Sequence, residues 1–102
     1  MPKIELNIQH NLSQSEALSR IQRFLPELKV QHSEKISDLE ESWSDNTVVF
    51  KFKISGFKVS GNLVAEEHQI IIRGDLPLFA TMFSSTIEST IRKHAEELLT
   101  QK

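Results

Sequence analysis

The sequence contains no cysteine and no tyrosine, and only three glycines, three prolines and one tryptophan in 102 residues. Without cysteine there is no disulfide, no thiolate metal site and no cysteine nucleophile. The glycines, at 56, 61 and 74, stand apart and cannot form a Gly-rich phosphate loop. Long apolar runs are missing too. Stretches such as Ile70-Ile71-Ile72 fall far below the roughly 20 residues of a membrane span, so no transmembrane segment is expected. The N-terminus alternates polar and apolar residues, unlike the apolar centre of a signal peptide, and a cytoplasmic protein is the expectation. Excess positive charge is absent: 12 Lys and Arg stand against 14 Asp and Glu, for a net charge of -2. That balance argues against nucleic acid as a partner.

What is present suits a folded domain. Hydrophobic residues make up 38% and charged residues 25%, and the length predicts a single domain over residues 1–102. Ile4, Leu6 and Ile8 alternate with Lys3, Glu5 and Asn7, the period of a half-buried strand over 3–9. Ser13-Gln14-Ser15-Glu16 fits a capping box opening a helix. Ala17, Leu18, Ile21, Phe24, Leu25 and Leu28 then lie on one helical stripe, with Glu16–Arg20 and Arg23–Glu27 spaced to pair. Pro26 predicts a kink or an end near Leu25.

Residues 31–37 show little pattern. Leu39, Glu41 and Trp43 alternate weakly into the turn Ser44-Asp45-Asn46. Thr47 to Ser55 is the clearest strand, with Val48, Phe50, Phe52 and Ile54 on one face and Val49, Lys51 and Lys53 on the other. Past Gly56, Phe57, Val59 and Leu63 continue the alternation. Gly61 stands where a large side chain would sit, a sign of a bulge or a close approach. His68 to Arg73 is a further strand. From Leu76 to about Leu99 the pattern is that of a long helix, with Pro77 in its first turn and Phe83, Ile87, Ile91, His94 and Leu98 along one side.

The expected fold is α+β, in the order strand, helix, four strands, helix. Its curved antiparallel sheet has one face covered by the long C-terminal helix. This order resembles the helix-grip architectures of the TATA-binding-protein and START-like lipid-transfer folds, a likeness of fold alone.

Few residues carry chemistry. Histidines stand at 10, 32, 68 and 94, none at metal-site spacing, and neither a metal nor a cofactor is expected. No Gly-x-Ser-x-Gly elbow is present, and the carboxylates fall on solvent faces, so an enzyme is not expected. His94 sits in the apolar stripe. It is either a core histidine with one satisfied hydrogen bond or, with Ile91, Phe50 and Phe52, part of a pocket lining between helix and sheet. Lys51, Lys53, Lys58 and Arg73 read as a solvated sheet surface, and Trp43 as a plug at the end of the core or a surface anchor. Leu78 and Met82, bordered by Phe79, fall outside the core stripe of the last helix. Either a loop hides them, or they are a contact site, a homodimer face being one use.

Several short segments together resemble the family of small bacterial polyhydroxyalkanoic acid system proteins. His10-Asn11-Leu12-Ser13 with Glu16-Ala17 is similar to its opening into the first helix. Trp43 with Asp45, Thr47 and Phe50 is similar to its tryptophan, acidic turn and phenylalanine strand. Val59-Ser60-Gly61 resembles a family strand, and Leu76, Ile87 and Leu98-Leu99 its final helix. The resemblance implies a non-enzymatic accessory protein of polyhydroxyalkanoate metabolism, in the cytoplasm or at the storage-granule surface, binding the granule or a granule protein. It supplies no catalytic residues. The alternative is a small carrier of an apolar or acyl ligand held between sheet and helix.

Overall fold

The structure, a computed structural model, describes residues 3–75 and 84–100. Its elements run β1 (Lys3–Gln9), α1 (Gln14–Ile21), α2 (Phe24–Gln31), β2 (Ile36–Ser44), β3 (Thr47–Ile54), β4 (Phe57–Ala65), β5 (Gln69–Asp75) and α3 (Ser84–Thr100). The five strands form one antiparallel sheet in the order β1-β5-β4-β3-β2. The meander β2 to β5 is thus as the sequence predicts, and β1 adds to its β5 edge.

Two helices stand where the sequence predicts one. Ser13 caps α1 by accepting the Glu16 amide at 3.1 Å. The Glu16 carboxylate does not reach back but turns to Arg20 at 2.9 Å, and Arg23 meets Glu27 at 2.9 Å. The break lies at Gln22–Arg23, earlier than Pro26 suggests. There the Arg23 amide bonds the Arg20 carbonyl in a tighter turn. Pro26 falls in the first turn of α2, where an amide hydrogen is not needed, so it opens a helix instead of ending one.

Alternation sorts the strands. Ile4, Leu6 and Ile8 of β1, Val48 and Phe50 of β3, Val59 and Leu63 of β4 and Ile70 and Ile72 of β5 are buried on one face. Val49, on the other, is 60% exposed. The cover is shared, and is not the last helix alone: α1 packs on β4, α2 on β2, and α3 on β1 and on both other helices. Ala17, Ile21, Phe24 and Leu25 join Ala95, Leu98 and Leu99 in the core. The predicted start of the last helix, with Leu76, Pro77 and Phe83, lies outside the described residues.

Backbone irregularities fall at the hairpins and one edge. Ser55 and Gly56 both have positive φ, 51° and 86°, the signature of a tight primed turn between β3 and β4. Asp45 is also left-handed, at 53°, in the β2–β3 turn. A bulge interrupts edge strand β2 between Ser37 and Glu40, where Asp38 has φ of 55°.

An apolar cleft between sheet and helices

The most distinctive feature of the buried face is a pair of glycines side by side. Gly61 and Gly74 are register partners on β4 and β5, between Phe50 on β3 and Ile4 on β1. A methyl group at 61 would lie 2.1 Å from the Arg73 carbonyl oxygen and 3.0 Å from the Phe50 ring. The ladder from β3 to β4 runs without a register shift, so close approach is the reason for this glycine, as the sequence allows. Gly74 differs: the nearest atoms to a methyl group there are 3.6 Å away or more. The Phe50 ring covers Gly61, and a hollow remains over Gly74.

That hollow is a cleft of about 100 Å³, apolar in every described residue that lines it. Its floor is Gly74 with Ile4, Ile72 and Val59. Phe50, Phe52 and Ile54 of β3 form one wall. Phe24, Leu25 and Leu28 of α2 face Ile87 and Ile91 of α3 above it. The rings of Phe50 and Phe52 lie 6.1 Å apart and nearly parallel, at 18°. Phe52, Ile54, Ile87 and Ile91 are only partly buried and pack around Ile4 and Val59.

Phe50, Phe52 and Ile91 therefore come together as the sequence reading grouped them. His94 is not part of the lining. It is 8% exposed, and its ring packs against Phe24 with centroids 5.1 Å apart. It is thus a buried histidine, and its Nε2 has no hydrogen-bond partner among the described residues. That contact places the ring in the seam between α3 and α2. Leu78, Phe79 and Met82 lie outside the described residues. The sequence reading did not include Ile4, Gly74 or the α2 residues in the cleft. The two adjacent glycines become visible as a pair only once the β4–β5 register is known.

The open face of the sheet carries paired charges. Lys51 meets Glu40 at 3.2 Å, Lys53 meets Asp38 at 3.4 Å and Arg73 meets Glu5 at 2.9 Å. These are solvent-exposed pairs of small energetic weight, and three of the four basic residues have a carboxylate beside them. Trp43 is half-buried against the core, and its indole nitrogen donates to Glu41 at 3.3 Å.

At the far end of the sheet His10 is held at both ring nitrogens. Nδ1 accepts the Leu12 amide at 3.2 Å, which leaves Nε2 to donate to the Glu66 carbonyl at 3.0 Å. The ring ties the β1–α1 connection to the β4–β5 turn. Among the described residues no group of three His, Asp or Glu side chains could hold a metal ion.

A family model described as "Putative polyhydroxyalkanoic acid system protein" matches residues 4–99. No curated protein matches the chain. A similar solved structure is the crystal structure of TTHA0849 from Thermus thermophilus. It is 12% identical, with a TM-score of 0.33 over 96% of this chain and 92% of that one.

Proposed function

This chain belongs to the polyhydroxyalkanoic acid system protein family, and from that membership we propose that it is a non-enzymatic accessory protein of polyhydroxyalkanoate metabolism. It acts by binding, at the surface of the storage granule or on a granule protein. The observation that supports binding over chemistry is the cleft: the described residues that line it offer apolar groups alone. General acid–base or nucleophilic catalysis needs convergent polar groups at hydrogen-bonding distance. Leu78, Phe79 and Met82 are the proposed contact residues, toward the granule or a second copy of the chain. The test is co-sedimentation of the purified protein with isolated granules, before and after the granules are stripped of their own proteins. Saturable recovery with either preparation is expected, and the double variant Leu78→Ser, Met82→Ser lowers it. Protein that stays in the supernatant in both cases overturns the proposal.

A second reading is favoured by the same cleft: a small carrier holding an apolar or acyl group between sheet and helices. Native mass spectrometry of protein taken directly from cells tests it. A retained acyl-sized mass supports the carrier, and a bare chain opposes it.

A further inference from the structure

We infer that the cleft over Gly74 is a binding site for the end of an unbranched aliphatic chain, about four carbons deep, whose polar group stays at the mouth. This names the ligand class for the carrier reading and rests on it. The lining fixes the chemistry. Among the described residues that line the cleft no polar atom is exposed, so a hydroxyl, ester or carboxylate beside them would lose its water without gaining a partner. The buried part of the ligand is therefore hydrocarbon.

The size fixes the length. An apolar cavity of about 150 Å³ lined by Leu, Ile and Phe takes up benzene, a six-carbon ring, and otherwise stays dry. At about 100 Å³ the present cleft has room, by proportion, for roughly four carbons. A ring is too large for it, while a straight chain end fits between Ile4, Ile72 and Ile91.

The backbone makes the hollow permanent. Its floor is low because residue 74 has no side chain, not because a side chain has swung aside. The sheet cannot sink to fill it, since β4 and β5 are held in continuous antiparallel register on either side of Gly61. Alanine would fit at 74 at ordinary contact distances, with Ile4 at 3.6 Å and the Ser60 carbonyl at 3.7 Å. Glycine weakens a strand relative to alanine, so the chain carries at this position a residue that favours an open floor over strand stability.

The experiment is methyl NMR of the isoleucine side chains titrated with 1-propanol, 1-butanol, 1-pentanol and 1-hexanol, with phenol as the ring probe. Shifts are expected at Ile4, Ile72 and Ile91. Affinity should rise about fourfold per added methylene up to butanol and then level off, with phenol at least tenfold weaker. Gly74→Ala should weaken butanol at least tenfold while its thermal unfolding midpoint stays at or above that of the wild type. If that variant fails to fold, the chain-length series on the wild type still decides. Phenol binding as tightly as butanol overturns the proposal, as does butanol binding unchanged in a folded Gly74→Ala. Affinity that keeps climbing through hexanol overturns the four-carbon depth and leaves the carrier reading standing. No isoleucine shift with any probe overturns both, without bearing on granule co-sedimentation.

Discussion

The ring of Phe50 lies over Gly61, its partner across β3 and β4, with its edge 3.0 Å from where a methyl group at 61 would stand. An aromatic ring over a strand glycine restores contacts that the missing side chain leaves out. The two residues therefore act as one unit. Gly61→Ala places a methyl group 2.1 Å from the Arg73 carbonyl oxygen, which the backbone must move to relieve. A loss of about 3 kcal/mol or more is expected in urea unfolding. A stability unchanged within about 0.5 kcal/mol would show that β4 and β5 are farther apart than described.

The two phenylalanines of β3 should not be equivalent. Phe50 is buried and Phe52 only half-buried. Phe50→Ala is expected to cost about 3–5 kcal/mol, the range for a buried aromatic. Phe52→Ala should cost roughly half as much, because part of its ring already faces water. Equal losses in chemical denaturation would mean that Phe52 is fully covered.

The β3–β4 turn can be improved. Ser55 holds a φ of 51° that a serine side chain disfavours, and Gly56 follows at 86°. Asn-Gly is the preferred pair for such a turn. Ser55→Asn should raise stability by about 0.5 kcal/mol, seen as a higher midpoint with unchanged slope. A lower midpoint would contradict the turn geometry.

Gln14 and Asn46 donate their side-chain amides to the same acceptor, the Ala65 carbonyl, at 2.9 and 2.8 Å. Removing either leaves the oxygen with the other, so each single alanine variant should cost only about 0.5–1 kcal/mol. Removing both strips the carbonyl of both side-chain donors. The double variant is expected to lose more than the sum, by about 0.5 kcal/mol or more in a double-mutant cycle. Strict additivity would indicate that the two amides do not share the oxygen.

The sheet was legible in the sequence because a face shielded from water imposes a period of two. Val48, Phe50, Val59, Leu63, Ile70 and Ile72 are buried where that period places them, while Phe57, which it assigns to the same face, is 49% exposed beside the β3–β4 turn. β2 was legible only in its second half. The bulge after Ser37 shifts the alternation, so Ile36 and Trp43 cannot be read as one pattern. Pro26 announced a break in the first helix but not its place, since proline is tolerated in an opening turn. The cleft was legible in part. Phe50, Phe52 and Ile91 follow from their faces, but a hollow over Gly74 depends on which glycine meets which side chain across the sheet. His94 falls on the apolar stripe of α3, yet periodicity cannot say whether the neighbour along that stripe is the sheet or α2.

The bulge at Asp38 also bears on how this chain behaves when crowded. A sheet of five strands has two rims of unpaired peptide groups, and an unmodified rim can recruit a strand from another molecule and seed a fibril. On β2 the kink and the carboxylates of Asp38, Glu40 and Glu41 spoil such a template. On β1 the Arg92 guanidinium from α3 donates to the Asn7 carbonyl at 3.3 Å, occupying one of the groups an incoming strand would use. Each rim is thus guarded by its own device, one by distortion and charge, the other by a side chain laid across it. Both devices act against strand-to-strand polymerisation, the hazard that rises most steeply with local density.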